Sequence, residues 1–219
     1  MSQLAYFAGL FSEGTEVDTE IGRVVLKTRP AGTLTVTSGR VVACDPLTSP
    51  ETEPFTRPVP AGSFPVTLSV AHFEDGDRRV AGALLRFAGR EAATWEPALR
   101  PGDDPSELEE GEIFGYPVDS GTGCFMDEET ERLVLDHMEP EAFTDALLAE
   151  LERTFENTWS WANIEFDPDS GANLVAFSAG LGDDHYASYF GLDADGEVVC
   201  LVTDFALFEF DALERPASG

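Results

Sequence analysis

Apolar residues in the first hundred positions fall in short runs rich in Val and Thr, broken by Gly, Pro and Asp. Such runs read as strands and turns rather than helices. Strands are predicted over 22–28, 33–37 and 40–44, with Pro30-Ala31-Gly32 and Ser38-Gly39 as the breaks and Asp45-Pro46 as the stop. A Pro-rich loop follows over 47–63. Segments 64–73 and 79–87 predict a strand pair around Glu74-Asp75-Gly76-Asp77. In the second, Val80, Leu84 and Arg86 alternate imperfectly with Ala81, Ala83 and Leu85, the pattern of a strand covered on both faces. A further strand over 92–99 carries Trp95.

Past Gly102 the pattern changes. Residues 104–112 form a short polar helix or turn, and 114–119 lead into the loop Ser120-Gly121-Thr122-Gly123-Cys124. A helix is expected over 128–137, capped by Asp127, and a second from Pro140 to about Asn157. In the second, Phe143, Leu147, Leu151 and Phe155 fall four apart as a core-facing stripe, with Glu141, Asp145, Glu150, Glu152 and Glu156 coating much of the rest. Strands return over 159–166, 173–178, 185–192 and 198–205, the last two joined at Asp195-Gly196. The expected fold is one α+β domain over 1–212. It has a mainly antiparallel curved sheet or sandwich with the helix pair packed on it, and a frayed tail over 213–219.

Charge changes what such a domain can bind. Residues 1–100 hold 12 acids against 10 bases, whereas 101–219 hold 30 acids against three, for a net charge of -29. That field repels nucleic acid and anionic lipid and favours cations or a basic protein surface. A genome-wide compositional habit would produce the same skew, and Lys27 is the sole lysine. Hydrophobic content of 42% with 16 Phe is too apolar for a disordered acidic chain. No apolar run approaches the roughly 20 residues that span a bilayer. The stretch Leu4 to Phe11 lacks the basic flank of a signal peptide, so the cytoplasm is the expected location. Cys44, Cys124 and Cys200, odd in number and far apart, argue against a disulfide framework or a thiolate zinc site.

Two clusters carry candidate chemistry. Around Asp119-Ser120-Gly121-Thr122-Gly123-Cys124, backbone N–H groups at Gly121 and Gly123 could cradle a ligand. Asp119 and Asp127 could hold a hard cation, and Cys124 beside a helix start could be an acidified nucleophile. The same residues are also good turn chemistry. In Gly180-Leu181-Gly182-Asp183-Asp184-His185, carboxylates beside an imidazole could bind a metal or serve as acid and base, or simply form a tight loop. Asp167 to Gly171 and Asp193 to Gly196 resemble calcium loops but lack full EF-hand spacing and read as hairpin turns. No P-loop, Gly-x-Ser-x-Gly or His-Glu-x-x-His occurs, and no cofactor is specified.

Residues 38–47, 60–66, Val80-Ala81, 95–99, 118–125 and 178–183, with Tyr186, Tyr189, Gly191, Asp193, Gly196 and Asp204-Phe205, resemble in the same order the bacterial family known as domain of unknown function 4241. The resemblance implies a single domain and no activity. Asp184 stands where the family pattern favours Gly. Two functions are therefore expected. The preferred one is a non-enzymatic acidic protein engaging a basic protein partner, as an immunity or inhibitor protein would. The alternative is a divalent-metal-dependent hydrolase gathering Asp45, Asp119, Asp127, Asp183 and His185. Oligomeric state is left open.

Overall fold

Two antiparallel sheets lie face to face, and helices cover both outer faces. The computed structural model describes residues 3–19, 22–109 and 111–213. The chain opens with α1 (Gln3–Leu10), then β1 (Glu16–Thr19), β2 (Gly22–Val36), β3 (Val41–Cys44), β4 (Gly62–Phe73), β5 (Arg78–Arg86) and β6 (Thr94–Pro97). After a 3-10 turn at Pro105–Glu107 come β7 (Gly115–Val118), β8 (Thr122–Asp127), α2 (Glu128–His137) and α3 (Pro140–Thr154). The chain closes with β9 (Trp161–Asp167), β10 (Ala172–Ser178), β11 (Asp184–Leu192) and β12 (Val198–Asp204). The larger sheet runs β1-β2-β4-β5-β12-β11-β6, with β7 also paired to β11, and the smaller runs β3-β8-β10-β9. This is the expected α+β architecture.

The central core lies between the sheets. Leu34, Val36, Leu68, Leu85, Phe190 and Leu201 from the larger sheet meet Val41, Ala43, Phe125, Val175 and Phe177 from the smaller. Neighbouring residues on β8 and β10 point the other way: Cys124, Met126, Leu174 and Ala176 pack under Val134, Phe143, Leu147 and Leu151 of the helix pair. Both faces of these strands are buried, so they read as continuous apolar runs rather than alternations. On β5 the imperfect alternation has a local cause. The register with β4 shifts between Ser69 and Val70, so Ala81 is an extra, bulged residue.

Several boundaries depart from the sequence expectation. The break at Pro30-Ala31-Gly32 is a bulge inside the single strand β2, where the missing Pro30 N–H is tolerated. Gly32 adopts φ +114, and a Cβ there would lie 2.2 Å from the Asn163 amide of the smaller sheet. The stretch Leu4 to Phe11 supplies most of α1, whose Tyr6, Phe7 and Leu10 are buried on the outer face of the larger sheet. Leu213, placed in the frayed tail by sequence, packs in the same cluster, while 214–219 lie outside the described residues. Thr122 to Cys124, expected as loop, opens β8, paired on both sides by β3 and β10. Among the described residues no helix is long and apolar enough to cross a membrane.

Candidate functional site

The two glycine-bearing turns singled out by sequence do meet. Ala179 N–H donates to the Gly121 carbonyl at 2.9 Å, and a Cβ on Gly121 would lie 3.9 Å from Gly182 Cα. Gly121 has φ +69, which closes the turn between β7 and β8. Beneath this junction sits Asp45, fully buried at the end of β3. Its Oδ1 accepts from Leu47 N–H (2.9 Å), Thr48 N–H (3.2 Å) and the Ser120 hydroxyl (2.8 Å). Its Oδ2 accepts from Asp119 N–H (3.0 Å) and Ser120 N–H (2.8 Å). Burial alone would raise the Asp45 pKa, but the Leu47 N–H and the Ser120 hydroxyl and N–H hold it below the usual aspartate value. A carboxylate offers about four lone-pair directions, and these donors use them. Asp45 is a clamp on the turn.

Asp127 is occupied in the same way. It caps α2 through Glu129 N–H at 3.0 Å and also accepts from Thr37 N–H (3.1 Å), Ser38 N–H (3.1 Å) and the Ser38 hydroxyl (2.7 Å). It ties the β2–β3 turn to the start of the helix. Asp119 and Asp183 are exposed on the two abutting turns. His185 is exposed at the start of β11, opposite Pro117 of β7. Among the described residues no three His, Cys, Asp or Glu side chains gather to hold a metal ion. Of the expected set of Asp45, Asp119, Asp127 and Asp183, two members are buried with their oxygens engaged by donors, and the other two stand in solvent. Asp167 and Asp193 instead serve their hairpins, accepting from Asp169 N–H at 3.1 Å and Asp195 N–H at 2.9 Å.

The structure places the expected nucleophile and cradle residues inside the fold or in its turns. Cys124 lies in mid-sheet and is fully buried, facing Cys44 across the β3–β8 pair with the sulfurs 3.7 Å apart. Burial lifts its thiol well above the ordinary value, and α2 begins only at Glu128, too far along to acidify it. Gly123 is a packing residue, since a Cβ there would meet the Tyr116 hydroxyl at 2.8 Å and the Phe177 ring at 3.2 Å. Burial also pushes the Cys200 thiol up to about 11. Iodoacetamide is accordingly expected to label Cys44, Cys124 and Cys200 slowly in the folded protein and fully after unfolding. Fast labelling of Cys124 in the native state, read by peptide mass spectrometry, would support the nucleophile.

A different surface carries uncompensated chemistry. Besides His137 at the end of α2, Arg132 and Arg153 are the basic residues of α2 and α3, and each arginine pairs with a glutamate of its own helix, Glu128 and Glu150. Asp136, Glu139, Glu141, Asp145 and Glu152 are exposed without an ion pair among the described residues. Between them stand Leu135 at 42%, Leu148 at 48% and Phe155 at 62% exposure. Asp145, Leu148 and Glu152 share the outward stripe of α3, at three- and four-residue spacing. Phe155 was expected on the core stripe, but the helix stops at Thr154 and turns it outward. Sequence spacing missed the exposure of Phe155 because helix ends are decided by packing. Leu148, beside the stripe residue Leu147, was the readable signal.

The fold and this surface define an α+β protein of two antiparallel sheets with an acidic, partly apolar helical face. The chain belongs to the family described as protein of unknown function DUF4241, whose model matches residues 34–203. The match covers the smaller sheet, the helix pair and the larger sheet from the end of β2 onward, and it leaves out α1, β1 and most of β2. No curated protein and no solved structure matches the chain.

Proposed function

We propose that this protein is a non-enzymatic binding protein whose α2–α3 face engages a basic protein partner, in the manner of an immunity or inhibitor protein. The supporting observation is the outward stripe of α3, where exposed acids flank exposed apolar side chains. Acids of one sign accelerate encounter with a cationic surface, while desolvated apolar anchors hold the complex once formed. A cleft of about 350 Å³, lined by Leu133, Met138, Ala146, Ile164 and Phe166 with His137 and Glu165, is formed in part by both helices and offers room for a partner's side chain. The same field disfavours nucleic acid and anionic membrane as partners.

The test is a pull-down from the native host with the wild-type chain and a variant carrying Asp136→Lys, Asp145→Lys and Glu152→Lys. Asp136 and Glu152 lie in the last turns of their helices, where lysine suits the dipole, so folding should survive. The reading expects a basic partner, captured by the wild type, whose association slows on the order of tenfold or more in the variant or at high salt. A partner bound equally by both chains would place the interface elsewhere.

A further inference from the structure

On a chain of net charge -29, a cleft of about 300 Å³ gathers the opposite sign. It lies between β2, the β4–β5 hairpin and the turn from α3 to β9. Lys27, Arg29, His72 and Arg78 line it, with Glu13 and Glu156 as its acids and Trp159 in its wall. Glu156 pairs with Arg29 and, at 3.5 Å, with Arg78. Glu13 is engaged by Thr28 through its N–H (2.6 Å) and hydroxyl (2.8 Å). Lys27 has no ion-pair partner among the described residues. Burial, with Lys27 and Arg78 beside it, holds the His72 pKa below the usual imidazole value. At neutral pH the cleft therefore counts three cations against two carboxylates. Asp77, which accepts from the Thr158 hydroxyl beside the cleft, is paired with Arg79, and screening to about 8 Å at physiological ionic strength weakens the field of more distant acids.

Two further features converge on the same place. Trp159 is only 3% exposed, and its indole N–H is buried with no hydrogen-bond partner among the described residues. Its ring stacks on Trp161 at 5.1 Å, and the Arg29 guanidinium lies 5.4 Å from the centre of the Trp161 ring. The preceding residue, Thr158, sits at φ +73, an unfavourable conformation for a β-branched side chain. The strain is held by cross-sheet bonds: Arg78 N–H donates to the Thr158 hydroxyl at 3.1 Å, and the Asn157 amide donates to the Gly76 carbonyl at 2.7 Å. The turn is thereby stapled to the hairpin that carries Arg78. Conformations of this cost persist where surrounding structure over-determines them, commonly at ligand sites.

We propose that this cleft binds a small oxyanion of phosphate or carboxylate type, held by Lys27 and by the arginines that Glu156 now bridges. The probes are sodium phosphate and sodium citrate, titrated through the millimolar range at ionic strength fixed with NaCl. Binding is followed by tryptophan fluorescence, because Trp159 lines the cleft and Trp161 stacks on it. A saturable change is expected with one or both anions, and the tighter arm identifies the oxyanion type. Lys27→Met, at an exposed side chain with no ion-pair partner among the described residues, should weaken binding at least tenfold while leaving the circular dichroism spectrum unchanged. Arg78→Met should do the same. The proposal is overturned if neither anion exceeds the NaCl control, or if Lys27→Met binds as tightly as wild type.

Discussion

Asp45→Ala is expected to lower the melting temperature by roughly 10 °C. The carboxylate is fully buried and answers donors from Leu47, Thr48, Asp119 and Ser120. Removing it strands several N–H groups around a closed turn. Losing a buried charged acceptor costs about 3–5 kcal/mol, and in a chain of this size each kcal/mol shifts the midpoint by about 2–4 °C. Ser120→Ala, which deletes one hydroxyl donor, should cost only about 1 kcal/mol. The pH dependence has a fixed sign. The folded pKa lies below the unfolded one, so the Asp45 contribution is complete above the ordinary aspartate range and is lost as pH falls through the folded value. A melting temperature for Asp45→Ala within about 2 °C of wild type would mean that water replaces the clamp, and the rigid-turn account would fail.

Asp204→Asn should act in the opposite direction. Asp204 is buried at the end of β12, accepting from the Tyr6 hydroxyl of α1 and from Ala206 N–H, each at 3.0 Å. Burial outweighs these bonds and raises its pKa from 3.8 to about 6. A carboxyl with a raised folded pKa binds more protons folded than unfolded, so stability falls as pH rises from about 4 to about 6 and stays low above it. The shift corresponds to roughly 3 kcal/mol at neutral pH. The amide removes the charge but brings a new N–H₂ to satisfy, so a net gain of about 1–3 kcal/mol is expected. The variant should melt several degrees above wild type at pH 7.5, with the advantage shrinking toward pH 5. A wild-type-to-variant difference that does not change with pH would remove Asp204 as the cause.

The two buried candidate acids share one property. Asp45 and Asp127 are acids next to turn residues, and such acids read equally well as ligands, caps or clamps. What decided between these roles were donors 74–75 and 89–90 residues away in the chain: Asp119 and Ser120 for Asp45, Thr37 and Ser38 for Asp127. Gly123-Cys124 looked like loop because its glycines dominate a short window. Pairing with both β3 and β10 makes it a central strand, where glycine serves close packing. The cation cleft was illegible for the same reason. Lys27, Arg78 and Trp159 come from three separate segments, and nothing local marks them as neighbours.

What the sequence determined was local in origin. The 2 and 3.6 periodicities, the Asp195-Gly196 hairpin and the charge asymmetry depend on residues near one another in the chain. So does α2 over Glu128–His137 with its Asp127 cap, which came out as expected. The Ala81 bulge and the bulge within β2, the end of α3 before Phe155, the burial of Cys124 and the assignment of each carboxylate as clamp or exposed charge were fixed only when distant segments met. A buried polar group takes its role from whichever donors reach it, and a charge takes its role from whatever offsets it. Both are properties of tertiary contact, which a short stretch of sequence does not contain.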